Sequence, residues 1–185
     1  MINKMISQVA EFHNAFGVER GNVDVELRYK LFKEEFEEYK DAKDLVEKTD
    51  AICDMLYIAC GTLDVHEWGY EREYLEDNYH KEDTALQHIE LSLDCYLIHK
   101  KEGWIWDVLE CCLDLARLNG IYDILSELFD EVHASNMSKL DENGKPIIND
   151  GLIDPTKPKN KILKGKNFFE PKLKEILIKH GKLNA

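Results

Sequence analysis

The chain has 185 residues, 44% of them hydrophobic, which suffices for one compact core; its formal net charge is −13. That charge repels polyanions, so broad binding to nucleic-acid polymers or anionic membranes is excluded, while a nucleotide held through a metal and a few local cations stays compatible. No apolar run approaches the roughly 18 residues of a membrane span and no signal-peptide pattern is present, so the expected location is cytoplasmic.

The elements follow in chain order. Ile2, Met5, Ile6, Val9, Phe12 and Phe16 recur at helical spacing and end at Gly17. Asn22 or Asp24 can cap a second helix through Val25, Leu27, Leu31, Phe32 and Phe36 to about Leu45. A third helix is expected from about Thr49, with Ala51, Ile52, Met55, Leu56, Ile58, Ala59 and Leu63 mostly buried and Gly61 allowing a close approach. Two or three further helices fill residues 69–119, with apolar faces at 85–97 and 104–118, and Asn119-Gly120 supplies a stop. Asp123 can cap a helix carrying Leu125, Leu128, Phe129 and Val132. No stretch alternates with period two for long, so the expected class is all-α. After Leu140 the character changes to an irregular segment, punctuated by Gly144, Gly151, Pro155 and Pro158 and rich in lysine (Lys145, Lys157, Lys159, Lys161, Lys164, Lys166). A short amphipathic helix from about Pro171 to His180 closes the chain. The expected organisation is one helical domain over 1–140, with a helical insertion at about 64–124, and a C-terminal loop and helix over 141–185 packed on it. The five cysteines sit within apolar helical patterns and match no zinc spacing, which fits free thiols in a reducing compartment.

Two acidic clusters stand out. The first is Glu34-Glu35-Phe36-Glu37-Glu38, and the second is Asp50 and Asp54 on the flank of an apolar helix. Helical spacing puts Leu31, Glu35 and Glu38 on one stripe and Asp50, Asp54 and Tyr57 on another. A helical hairpin would turn these stripes toward each other. Carboxylates that close repel unless a cation neutralises them, and hard oxygen donors suit Mg²⁺, with Mn²⁺ as a substitute. For the glutamate run taken alone, a solvated face with i,i+4 ion pairs is the competing reading. The two aspartates shift the balance, because aspartate is a poor helix former and a half-buried acid needs a partner.

Leu31-Phe32-Lys33-Glu34-Glu35-Phe36-Glu37-Glu38-Tyr39, followed by Asp50-Ala51-Ile52-Cys53-Asp54-Met55-Leu56-Tyr57, resembles the all-α nucleoside triphosphate pyrophosphohydrolases, the superfamily of MazG-type enzymes, dimeric dUTPases and phosphoribosyl-ATP pyrophosphohydrolase. The stretches from Phe129 to Lys139 and from Ile162 to Pro171 resemble the C-terminal part of a phage- and bacteria-type, phosphoribosyl-ATP-pyrophosphohydrolase-like branch. Where many relatives carry Glu-x-x-Asp in the second motif, Ala51 stands at the glutamate position and Asp50 precedes it; Glu47 is the alternative fourth ligand.

The resemblance implies a MazG-like helical bundle that uses Mg²⁺ to cleave a nucleoside triphosphate to monophosphate and pyrophosphate. Glu35, Glu38, Asp50 and Asp54 match metal ligands, and Glu34 matches the acid that activates water. Arg28, about two turns before Glu35 on the same face, and Asn136, Lys139 and Lys164, in the matched C-terminal stretches, are candidate substrate contacts, with surface ion pairs as the competing reading for each cation. Hydrolysis of phosphoribosyl-ATP and a catalytically silent helical binding or assembly module are the alternative functions. Relatives build the site where helix pairs meet, so a homodimer or larger homo-oligomer is expected. His133 stands at i+3 from Asp130, a ligand spacing, but is read as a structural or substrate-contact residue; Tyr57 is open to stacking, hydrogen bonding or packing, and the three tryptophans are assigned to packing ahead of base stacking.

Overall fold

The computed structural model describes residues 1–21, 23–68, 81–149, 152–153, 155 and 162–184. The order is α1 (Ile2–Phe16), α2 (Val25–Asp41), α3 (Leu45–Val65), α4 (Glu82–His99), α5 (Glu102–Leu118), a 3-10 turn (Tyr122–Ile124), α6 (Leu125–Met137), β1 (Ile147–Ile148), β2 (Ile162–Leu163) and α7 (Leu173–Lys179). The protein is a helical bundle, as its periodicity predicts. The two strands form a small antiparallel pair, Ile147 opposite Leu163 and Ile148 opposite Ile162; elements of two residues are too short to produce a visible alternation.

The centre of the bundle is α3. Ala51, Ile52, Cys53, Met55, Leu56, Ala59, Cys60 and Leu63 are all buried, which covers nearly the whole circumference of the helix. A helix that is apolar all round must be enclosed, and α1, α2, α5, α6 and α7 all pack on it. The α4–α5 hairpin completes the enclosure within one chain: α5, with Ile105, Val108, Leu109 and Cys112 buried, lies on α3, and α4 packs on α5 and α2. Tyr39 ties these helices together, because its hydroxyl donates to Glu82 on α4 and accepts from Asn119 at the end of α5.

Three boundaries differ from the sequence expectation. The second helix stops at Asp41, and the third begins at Leu45. Asp44 caps α3 by accepting from the Glu47 N–H, and the Glu47 carboxylate reaches back to the Lys43 N–H at 2.6 Å. This reciprocal arrangement is a variant of the capping box. Thr49 is one turn inside the helix and bonds back to the Leu45 carbonyl. Asp123 does not cap α6; the 3-10 turn leads straight into it, and Asp123 pairs with Lys182. Asp24 caps α2. Asn22, Gly151, Pro158 and the lysines at 157, 159 and 161 lie outside the described residues.

The C-terminal segment folds back on the bundle. Leu173, Ile176 and Leu177 are buried as α7 packs on α3 and α6. Gly165 approaches the backbone at the end of α6, where a Cβ would sit 2.8 Å from the Leu140 carbonyl oxygen. Among the described residues all five cysteines are free, and no helix is long and apolar enough to cross a membrane. Leu56→Ala should cost about 2–5 kcal/mol by urea unfolding, because Leu56 is fully buried on the central helix and its loss leaves a cavity. Asp44→Ala should cost only about 0.5–2 kcal/mol, as loss of a cap does.

Candidate functional site

The turn at residues 42–44 folds α2 against α3 and sets the two acidic stripes face to face. On α2, Phe32, Phe36 and Tyr39 are fully buried and fix the helix rotation, which leaves Glu35 half-buried on the edge facing α3. On α3, the buried neighbours Cys53 and Met55 hold Asp54 at the same seam, with Asp50 one turn earlier.

The electrostatics record the juxtaposition. Burial, then the charges of Asp54, Glu38, Glu34 and Asp50, push the Glu35 carboxyl up to about 8. Burial, then Asp50, push Asp54 up to about 7; Lys139 pulls against this and Glu38 adds to it. Asp50 is raised by burial, by Glu38 and by Glu170. Between Asp50 and Asp54 the Cys53 thiol is fully enclosed, and burial pushes it well above its ordinary range. Among the described residues none of the carboxylates of Glu34, Glu35, Glu38, Asp50 and Asp54 makes a hydrogen bond or ion pair. Glu35, Asp50 and Asp54 are part-buried, and acids withdrawn from water are normally paired, so the seam is short of positive charge. Its chemistry, all hard oxygen, fits a divalent cation such as Mg²⁺. Among the described residues no three acidic, histidine or cysteine side chains already meet at metal-binding distances, so the fit lies in the donor set and its charge, not in a ready-made cage.

A cavity of about 250 Å³ opens beside Glu35 and Asp54. Val9, Phe12, Leu31, Tyr57 and Ile58 form its apolar wall, and His13, Arg28, Asn136 and Lys139 supply its remaining polar groups. Arg28 is anchored by Nε donating to Thr62 Oγ1 at 2.9 Å and Nη2 donating to the Ile58 carbonyl at 2.7 Å. It has no ion pair among the described residues, and burial lowers its pKa to about 10. Gly61 makes room: a Cβ there would lie 2.8 Å from Arg28 Nη2 and 3.1 Å from His13 Cε1. Lys139 donates to Asn136 Oδ1 at 2.6 Å, and its pKa is lowered by burial against the pull of Asp54. Tyr57 is held as wall by its hydroxyl bond to His133 Nδ1 at 3.0 Å and by stacking on Phe129.

Glu34, Glu38 and Asp50 face the other way. They line an open groove of about 920 Å³ with Lys30, Lys33 and Lys43. The acidic seam therefore separates a partly apolar cavity from a solvent-filled, charged groove. Lys164 lies outside the cavity lining, its ammonium 2.6 Å from Glu170 and 4.1 Å from the centroid of Phe168, yet near enough to Lys139 for the two ammonium groups to repel. Glu47 is engaged at the start of α3. The Asp130 carboxylate is bound by Lys4 and Gln8 and His133 by Tyr57, so neither side chain of that i,i+3 pair is turned to a shared ligand. Trp106 donates to Glu102, Trp68 stacks on His66, and Trp104 packs on the core; none lines the cavity.

The structure adds residues that the sequence did not single out. His13 lines the cavity and bonds Asp64, which is also held by Arg20. Their signal was a polar residue on each of two apolar helix faces, but the pairing spans 51 positions. Glu170 joins the acidic seam from the C-terminal segment.

No curated protein and no solved structure matches the chain. The family profile described as phosphoribosyl-ATP pyrophosphohydrolase (PRA-PH) matches residues 3–71. The matched span holds α1–α3, and with them the acidic seam, Arg28 and His13; Asn136, Lys139 and Lys164 lie beyond it. Residues 3–71 are therefore a phosphoribosyl-ATP pyrophosphohydrolase family domain, a member of the MazG-like all-α nucleoside triphosphate pyrophosphohydrolase superfamily.

Proposed function

We propose that the chain is a Mg²⁺-dependent nucleoside triphosphate pyrophosphohydrolase, converting a (deoxy)nucleoside triphosphate and water to the monophosphate and pyrophosphate. The observation that carries this reading is the set of unpaired carboxylates at the α2–α3 seam beside a cavity holding Arg28 and Lys139. The family domain independently suggests activity of the nucleotide pyrophosphohydrolase type.

Glu35, Glu38, Asp50 and Asp54 are the residues that would hold the cation, which when bound neutralises phosphate charge and acidifies water. Glu34, exposed at the groove, accepts the proton of the attacking water. Arg28, pinned by two hydrogen bonds and with no acid of its own, and Lys139 hold phosphate oxygens; Lys164 reinforces them once its pair with Glu170 opens. Asn136 fixes the Lys139 ammonium and orients the substrate. The cavity takes the nucleoside. The family description favours one second reading, phosphoribosyl-ATP as substrate.

A nucleotide panel that includes phosphoribosyl-ATP, assayed with Mg²⁺ or Mn²⁺, tests this. Pyrophosphate release is expected from at least one member; Glu34→Gln should lower kcat by about 10²–10⁴-fold, and Glu38→Gln should raise the Mg²⁺ concentration needed for activity and lower turnover sharply. No release from any nucleotide, with no Mg²⁺-dependent nucleotide binding by calorimetry, would leave the silent helical module as the answer.

The pH dependence of stability provides a separate check. Glu35 and Asp54 have folded-state pKa values of about 8 and about 7 against ordinary values of 4.5 and 3.8. The folded state thus binds more protons than the unfolded one in this window, so stability falls as pH rises. The melting temperature of metal-free protein should drop between about pH 5 and pH 8. Added Mg²⁺, which displaces those protons, should raise it more at the upper end than at the lower. An equal Mg²⁺ effect at both ends would argue against these carboxylates as its ligands.

A further inference from the structure

His13 is 3% exposed and lines the cavity beside Glu35 and Asp54. Its Nδ1 lies 2.6 Å from Asp64 Oδ2. Asp64 also receives Arg20 Nε at 3.1 Å on both oxygens and Arg20 Nη2 at 3.0 Å. A carboxylate so engaged only accepts, so the proton of the imidazole sits on Nδ1. Burial lowers the pKa of the imidazole, and the charges of Arg28 and Arg20 act in the same direction against the pull of Asp64, which favours the neutral ring. Nε2 is then a lone pair with no hydrogen-bond partner among the described residues. Gly61 keeps it open, since a Cβ there would lie 3.2 Å from Nε2.

A lone pair cannot receive a hydrogen bond from a phosphate ionised at neutral pH, and it repels one. The matching group must carry a hydrogen. Resting on the nucleotide reading above, we propose that His13 Nε2 is a fixed hydrogen-bond acceptor for an O–H or N–H of the nucleoside half of the substrate, with Asp64 and Arg20 as the residues that position it. Arg28 beside it supplies N–H donors to the adjoining phosphate oxygen, so the two side chains together meet an acceptor and the donor next to it on the substrate. The donor on the substrate is either a sugar hydroxyl or a base N–H, and the assay separates them.

Kinetics of wild type, His13→Ala and His13→Gln are measured with Mg²⁺ on the best substrate, on its 2′-deoxy, 3′-deoxy and dideoxy forms, and on an analogue lacking the base amino group. His13→Ala should raise KM about 5- to 100-fold on the full substrate with little change in kcat. The penalty should vanish for the analogue that lacks the recognised donor: a sugar analogue if the hydroxyl is read, the base analogue if the amino group is read. His13→Gln, which keeps an acceptor, should restore part of the loss. An equal penalty on every analogue, or none on any, overturns the proposal while leaving the hydrolase reading intact. Nitrogen NMR of the wild-type imidazoles, with a non-hydrolysable nucleotide and Mg²⁺, decides the matter if His13→Ala fails to fold or if no nucleotide is turned over. Free His13 should show the Nδ1–H neutral tautomer, and its Nε2 signal should move upfield on binding. An unmoved signal in the complex, or no nucleotide binding at all, would refute the acceptor role.

Discussion

The repulsion between half-buried carboxylates on α2 and α3 is the constraint around which this molecule is arranged. Burial alone disfavours an ionised acid, and a second acid across the seam disfavours it further. Glu35 and Asp54 experience both. Such an arrangement works against stability in the isolated chain and persists only if the rest of the bundle holds the two helices in place. The enclosure of α3 by five other helices does this. The aspartates cannot rotate into solvent without exposing Ile52, Met55 and Leu56, so the seam is held by the core behind it.

The charges around the seam are distributed unevenly. On the cavity side, Arg28 and Lys139 are few, half-buried and fixed by neutral partners, which leaves their charge available. On the groove side, Lys33 is drawn into pairs with Glu90 and Glu37, and Lys40 next to the groove with Glu37, while Lys30 and Lys43 stand among the acids Glu34, Glu37, Glu38, Asp41, Glu47 and Asp50. Exposed pairs of this kind contribute little to stability, but they keep those lysines occupied. The cavity is therefore where an anion meets cations that no carboxylate bonds directly, although the protein as a whole is strongly acidic.

Much of this architecture was legible in the sequence because helical periodicity reports burial directly. Spacing placed Glu35 and Glu38 on one stripe and Asp50 and Asp54 on another; that the stripes meet depended on the two helices forming a hairpin. The boundary between the second and third helices was harder to read, because the turn contains neither glycine nor proline and the apolar period runs through it; only Asp44 marks the start. The strand pair was illegible at two residues a side. The His13–Asp64–Arg20 group was illegible for a different reason. Each member reads as an isolated polar residue, and the meaning comes from the crossing of α1 over α3, which local pattern does not encode. The capping role of Glu47 belongs to the same class, since its carboxylate could equally have turned toward Asp50.

Cys53 carries a consequence of its own. It lies between the two aspartates, yet its sulfur is sealed in the core and kept protonated. Only thiolates bind soft metals or react with oxidants at useful rates. The seam therefore presents oxygen alone to an incoming ion, and a thiophilic metal such as zinc gains no sulfur anchor there despite the cysteine's position in the motif. The same seal spares the seam from peroxide, so oxidative stress would not silence it through this residue.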